Sequence, residues 1–159
     1  MSLISNNRRK YSNSIGKKAE QVFFDIVRSK GVNIVKSSMG DDMFKHIDFY
    51  IDDVGFDIKS RRHLDCIWLE RTNVHGNDGW LMGKAKYIGL EIVELNSFCF
   101  FKRTDLLEYV SRFNETTSSK DCYFKWYTRR DWNRKDEIIK VRYKDIQHLE
   151  VKRLKYATN

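Results

Sequence analysis

His46-Ile47-Asp48-Phe49-Tyr50-Ile51-Asp52-Asp53-Val54-Gly55-Phe56-Asp57-Ile58-Lys59 is the stretch whose phase decides the fold. Ile47, Phe49 and Ile51 alternate with His46, Asp48 and Tyr50. Beyond Asp52-Asp53-Val54-Gly55 the alternation resumes, with Phe56 and Ile58 set against Asp57 and Lys59. A period of two predicts a β-hairpin with one apolar face and one face that carries chemistry. A two-residue turn at Asp52-Asp53 pairs Ile51 with Val54 and sets Asp48 opposite Asp57, with Cβ atoms roughly 5 Å apart. A four-residue loop sets Asp48 opposite Lys59 instead. Both registers keep Asp48, Asp57 and Lys59 on one side, whereas a slip of one residue carries the group to the other face.

Two carboxylates in close register repel each other, and a divalent cation removes the conflict. Carboxylate oxygens suit Mg²⁺, which keeps several waters and takes one or two protein carboxylates beside a substrate phosphate. A lysine next to such a site can hold or deprotonate a water, or steady charge on a pentacovalent phosphate. The competing reading is an exposed hairpin with solvated charges; it is the stronger one for Asp57-x-Lys59 alone, and Asp48 in matching phase weakens it.

The chain has 159 residues, enough for one domain with a real core. Lys and Arg outnumber Asp and Glu by 30 to 22, a formal charge of +8, which favours a polyanionic partner and nucleic acid before membrane. No run of about eighteen apolar residues is present, so no membrane span is expected, and Met1 to Lys10 lacks the apolar region of a signal peptide. Cys66, Cys99 and Cys122 contain no CxxC pair and His46, His63, His75 and His148 no i, i+4 pair; reduced thiols and a cytoplasmic location are the expectation.

Residues 1–12 read as a polar, flexible arm. From Ser14, as N-cap, Ile15, Ala19, Val22, Phe23, Ile26 and Val27 recur at helical spacing until Gly31 ends the helix. Glu20 borders that stripe. Strands are expected at Val32 to Lys36, Tyr87 to Val93, Phe98 to Lys102, Glu137 to Tyr143 and Leu149 to Tyr156. Cys66 to Arg71 is expected as the third strand of a meander, its Glu70 paired with Arg71. Thr104 is expected to cap a second helix containing Leu106, Leu107, Val110 and Phe113. Asp41 and Asp42 read as turn or cap residues. Arg61 and Arg62 follow Lys59 as a positive cluster able to hold phosphates. Trp80, in a glycine-rich loop that leads to Lys84 and Lys86, either stacks on a base or anchors the loop. Aromatic and basic residues interleave from Tyr123 to Lys135, a pattern that suits stacking on single strands or an ordinary twisted edge strand, and residues 121–159 form a C-terminal extension.

The order helix, strand, hairpin, strand, with acids at Glu20, Asp48 and Asp57-Ile58-Lys59, resembles the PD-(D/E)XK, or restriction-endonuclease-like, nucleases, over about residues 14–103. The resemblance implies an α/β fold with a mixed central β-sheet flanked by helices, and points to phage-type or junction-resolvase-like members. It implies that Glu20 is the acid of the first core helix, that Asp48 and Asp57 bind metal together with the carbonyl of Ile58, and that Lys59 is the lysine of the motif. Ile47 stands where the motif has proline, and Lys86 where some phage-type members have Asp.

The function expected on these grounds is a Mg²⁺-dependent deoxyribonuclease, with Mn²⁺ as substitute, that hydrolyses a phosphodiester of duplex or branched DNA by metal-activated water. Lys17, Arg61, Arg62, Trp80, Lys84 and Lys86 would contact the nucleic acid. Family analogy adds a homodimer. The alternative is a non-catalytic nucleic-acid-binding domain on the same scaffold, and a third reading is a modulator of another enzyme that acts through its basic face.

Overall fold

The hairpin forms in the tighter of the two registers. Strand β2 (Phe49–Ile51) pairs antiparallel with β3 (Val54–Arg62), Ile51 lying opposite Val54 and Phe49 opposite Phe56. Asp52 and Asp53 both have positive φ, 47° and 64°, the left-handed pair that a two-residue hairpin turn demands. Aspartate tolerates that region better than most side chains because its short carboxylate bonds locally.

The computed structural model of the chain describes residues 3–128 and 134–156, with side chains from Asn13 onward. Among these residues β1 (Ile34–Lys36), β5 (Tyr87–Ile92), β6 (Ser97–Lys102) and β10 (Glu150–Lys155) complete a six-stranded sheet in the order β1-β2-β3-β5-β6-β10. Its β3 and β5 run parallel and its other neighbours antiparallel, so the sheet is mixed. A second sheet has the order β4 (Ile67–Thr72), β9 (Glu137–Val141), β8 (Trp126–Thr128), β7 (Thr116–Thr117). With the helices packed around these sheets the chain is of the α/β class.

The meander expected through Cys66 to Arg71 does not form. After Arg62 the chain leaves the first sheet, β4 pairs with β9, and the place beside β3 goes to β5. The side chains explain the exchange. Ile88, Leu90 and Ile92 of β5 are fully buried and Gly89 leaves room for Ile58 and Phe100, as suits an inner strand covered on both faces. In β4, Ile67 and Leu69 are buried while Trp68 and Glu70 are half-buried, the alternation of a strand with one face toward the core.

Helix α1 spans Leu3–Ser29, so the backbone expected as an arm over residues 1–12 is helical from Leu3, and Ser14 lies inside the helix. Nothing from Asn6 to Lys10 is a helix breaker. The helix ends as its sequence predicts: Gly31 has φ 73° and its N–H donates to the Arg28 carbonyl at 3.0 Å. Helix α2 (Arg103–Ser111) starts without a side-chain cap, with Lys102 rather than Thr104 at that position. A short α3 (Tyr143–Ile146) precedes β10.

Each face of the six-stranded sheet has its own core. Ala19, Phe23 and Val27 of α1 press on Phe49, Ile58, Phe98 and Phe100. The Phe23 ring centroid lies 5.7, 6.4, 5.5 and 5.6 Å from those of Phe49, Phe56, Phe98 and Phe100. On the other face Ile88, Leu90 and Phe101 pack with Ile67 and Leu69 of β4, Ile139 and Val141 of β9, Leu106 and Val110 of α2, and Trp126. The hairpin therefore turns Phe49, Ile51, Phe56 and Ile58 toward α1, and Asp48, Asp57 and Lys59 toward the second sheet. Among the described residues no helix is long and apolar enough to cross a membrane.

Phe23 is buried against four rings, and its loss leaves a cavity that the rigid sheet cannot fill. Phe23→Ala is expected to lower the unfolding free energy by about 3–5 kcal/mol in urea denaturation.

Candidate active site

At Phe49 the regular register of the hairpin ends: the Asp48 N–H donates to the carbonyl of Phe56, the partner of Phe49, at 2.8 Å. Asp48 and Asp57 lie near each other, Asp57 acting on the Asp48 carboxyl. The Ile58 N–H donates to Asp48 Oδ2 at 2.7 Å, and Lys59 Nζ lies 2.8 Å from Asp57 Oδ1. Asp57 is only 1% exposed, and its Oδ2 has no hydrogen-bond partner among the described residues. A buried carboxylate oxygen left unmatched costs about 1–3 kcal/mol or more. An oxygen in that state is open to a water or a cation.

Burial pushes the Asp48 carboxyl up to about 9; neighbouring Asp57 adds to the rise, and Lys59 opposes it. The Lys59 ammonium responds the other way. Burial pulls its pKa down, but Asp57 and Asp48 outweigh that and hold it above the usual lysine value. Lys59 is therefore a proton holder, suited to fixing a water or an anionic oxygen by its charge and unsuited to accepting a proton near neutral pH.

Glu20 of α1 lies in the electrostatic field of this group. Its pKa is raised, first by burial and then by Asp42, while Lys59 lowers it and Asp57 raises it again. Asp42 belongs to a π-helical turn, Asp41–Lys45. Asp41 acts as the turn residue that the sequence suggests, bound to Lys45 Nζ at 2.7 Å and accepting from the Tyr50 hydroxyl at 2.8 Å. Asp42 instead joins the acidic field around Glu20, a role that the turn assignment missed.

Among the described residues no three His, Cys, Asp or Glu side chains form a ready-made metal cage. A hard cation that retains waters does not need one. The donors here are carboxylate oxygens, one of them buried and unpartnered, and they fit Mg²⁺ or Mn²⁺ better than a nitrogen- or sulfur-seeking metal. Asp48 and Asp57 would hold such an ion, with Glu20 behind them. The Ile58 side chain is buried against α1, which leaves only its backbone to the site.

A β-bulge lies between Lys59 and Arg62, for Lys59 pairs with Leu90 and Arg62 with Ile92. Simple alternation would put Arg61 in phase with Lys59. The bulge gives Arg61 a φ of 45°, leaves it exposed with its N–H on Glu91, and turns Arg62 inward. Arg62 Nη1 donates to the Ser60 carbonyl at 2.6 Å, and burial lowers the guanidinium's pKa against the pull of Asp57 and Glu70. Glu70 faces the same side: its pKa is raised by burial and lowered by Lys59 and His46. Its expected partner Arg71 bonds Glu137 instead, at 2.8 Å. The period-two pattern of β4 already placed Glu70 beside Trp68; the missing information was which way β4 faced.

Trp80 is 5% exposed and sits in a 3-10 turn, Trp80–Met82, so it anchors its loop, with Lys59 Nζ 5.7 Å from its ring centroid. Gly79 is needed there, because a Cβ would lie 2.6 Å from Glu70 Cγ and 2.7 Å from the Glu70 carbonyl oxygen. Lys17, Lys84 and Lys86 are exposed; the Lys84 and Lys86 N–H groups tie the loop to Lys45 and Gly55. In the aromatic and basic stretch Trp126 is a core residue with Arg71 over its ring at 3.8 Å, and Lys140 and Arg142 cover Tyr123. Residues 129–133 of that stretch lie outside the described residues. Met39, Met43 and Phe44, which the sequence reading passed over, stand exposed around the turn that carries Asp42.

A carboxyl whose folded pKa is raised contributes stability that is complete below the ordinary carboxylate range and is lost as pH rises toward 9. Asp48→Asn keeps the acceptor for the Ile58 N–H and removes the titration. In divalent-free buffer at pH 8 it is expected to raise Tm by about 2 °C or more, with the difference vanishing near pH 4 in differential scanning calorimetry. Compared with family models, curated proteins and solved structures, the chain finds no match, so this site is read from its geometry alone.

Proposed function

We propose that the protein is a Mg²⁺-dependent deoxyribonuclease with a restriction-endonuclease-like core of the PD-(D/E)XK kind. One observation carries the reading: Asp48 and Asp57 gather at the hairpin, Asp48 accepting from the Ile58 N–H and Asp57 pairing with Lys59, and Asp57 keeps a buried oxygen without a partner among the described residues. A bound divalent cation would supply positive charge against phosphoryl oxygens and acidity for an attacking water.

The protein's own groups do the rest. Asp48 and Asp57 hold the cation, and Asp48 gives up its proton to do so. Lys59, kept protonated, fixes the attacking water or the charge that grows on phosphorus. Glu20, its carboxyl raised, sits where it can orient water or take up a proton. Exposed Lys17, Arg61, Lys84 and Lys86 neutralise backbone phosphates, which adds affinity without sequence choice. The surplus of 30 basic over 22 acidic residues favours the same polyanion. Duplex ends and branched DNA both suit this arrangement, and a homodimer would bring a second site for the second strand.

The Lys59–Asp57 ion pair favours a second reading, because it neutralises one carboxylate without any cation. A non-catalytic nucleic-acid-binding domain on this scaffold would retain that pair as structure.

Plasmid and branched DNA incubated with Mg²⁺ or Mn²⁺ separate the two. For the nuclease, Asp57→Ala and Lys59→Ala each lower the cleavage rate by about 100-fold or more while DNA binding persists. Wild-type protein that binds DNA and leaves it intact with either cation would establish the second reading. In thermal melts, saturating Mg²⁺ is expected to raise the Tm of the wild type and to leave Asp57→Ala unmoved.

A further inference from the structure

Behind the acidic group, between β3 and the second sheet, lies a cavity of about 310 Å³ that the proposed cleavage chemistry does not use. Arg62 and Lys120, the carboxylates of Glu70 and Asp136, and the side chains of Trp68, Trp80 and Ile138 line it. Its volume is at the small end of ligand pockets, about 300–1,000 Å³, which suits one flat heterocycle better than a whole nucleotide.

The lining has a definite chemistry. Trp68 and Trp80 supply indole surface. Glu70, when ionised, only accepts hydrogen bonds, and Arg62 only donates them. Arg62 spends Nη1 on the Ser60 carbonyl, but its Nε is sealed from solvent without a partner among the described residues. A buried donor on a charged group that lacks an acceptor is costly, and an acceptor entering the cavity would remove the cost. The bulge that turns Arg62 inward and the Gly79 approach that lays Trp80 against Glu70 are the two backbone devices that build these walls.

A phosphate fits poorly beside two carboxylates, Glu70 and Asp136, and two indoles. A nucleobase fits: its ring stacks on an aromatic wall while its edge meets the carboxylate acceptors on one side and the Arg62 donor on the other. Guanine matches best, since its adjacent N1–H and N2 amino group suit a carboxylate and its O6 and N7 suit an arginine. Thymine offers a single N–H flanked by two carbonyls, which Glu70 repels. The cavity also adjoins the acidic group, with Lys59 Nζ near the Trp80 ring and Arg62 in the field of Asp57. We propose that this cavity receives an unstacked nucleobase, guanine in preference to the others, from the nucleotide next to the phosphate that a cation at Asp48 and Asp57 would hold. The inference rests on the nucleic-acid reading above and assigns it a base preference.

The test uses five-nucleotide single-stranded DNAs that differ only at the centre, as guanine, thymine or an abasic residue, with binding followed by tryptophan fluorescence in divalent-free buffer. The guanine oligonucleotide is expected to bind about tenfold more tightly than the thymine one. Glu70→Gln, which preserves the side-chain volume, should bring the two within about twofold, and Trp68→Ala should bring both to the abasic level. Circular dichroism confirms that each variant is folded. Equal binding of guanine and thymine, a guanine preference that survives Glu70→Gln, or no binding at 1 mM oligonucleotide, about the weakest affinity such a site would show, overturns the proposal. Because this assay needs neither cation nor cleavage, it fails independently of the nuclease reading. Guanine selection by a protein that cuts nothing leaves the base cavity standing and removes the nuclease, whereas cleavage without base selection does the reverse.

Discussion

The left-handed turn at Asp52 and Asp53 sets the phase of everything that follows it. With two residues in the turn, Phe49 faces Phe56, and the hairpin turns Phe49, Phe56 and Ile58 to one surface and Asp57 and Lys59 to the other. The cost is two carboxylates held where water is largely excluded: burial first, and then neighbouring Asp57, raise the Asp48 carboxyl. Lys59 offsets part of that cost by pairing with Asp57. The aromatic contacts of Phe23 with Phe49, Phe56, Phe98 and Phe100 hold the hairpin to α1, so the repulsion is borne without fraying. Asp57 also lies on a strand bonded to neighbours on both sides, which fixes its carboxylate more firmly than a loop could.

Departures from local regularity gather around this hairpin. Of the non-glycine residues with positive φ, His46 precedes it, Asp52 and Asp53 turn it, and Arg61 interrupts its second strand. Each would be costly in isolation, and such positions persist where the surrounding structure over-determines them. His46 is held by a contact of its Nε2 with the Asp78 carbonyl at 3.1 Å, and Arg61 by the bond from its N–H to Glu91. The outcome is a shell of charge on one surface: Glu20 and Asp42 on one side of the aspartate pair, Arg62 and Glu70 on the other. Acid and base are both needed where a cation and a polyanion are to meet, and neither set contributes much to stability.

Much of this was legible in the chain. Periodicity of two located the hairpin, helical spacing with Gly31 located the end of α1, and the strands at Tyr87 and Ser97 lie where their apolar runs put them. Other parts were not legible. Trp80 could be read from its stretch either as a base-stacking or as a loop-anchoring ring, and Trp126 stands among lysines and arginines, yet both are buried, because burial depends on what packs against a residue and not on its sequence neighbours. Asp42 and Glu70 each had a reasonable local explanation, one as a turn residue and one as the partner of Arg71. Asp42 is the turn residue expected and also acts on Glu20, whereas Glu70 lost its expected partner Arg71 to Glu137 and lies in the field of Lys59 and His46.

Local sequence by itself determined the alternation of the hairpin, its turn, and hence that Asp48, Asp57 and Lys59 share a face, because side-chain direction in a strand follows from covalent geometry alone. Tertiary structure alone decided which strand lies beside β3, that β4 turns away to build a second sheet, and that a bulge exchanges Arg61 for Arg62. Those outcomes depend on which surfaces exclude water when distant segments meet, a competition among nonlocal contacts that no single stretch of sequence encodes.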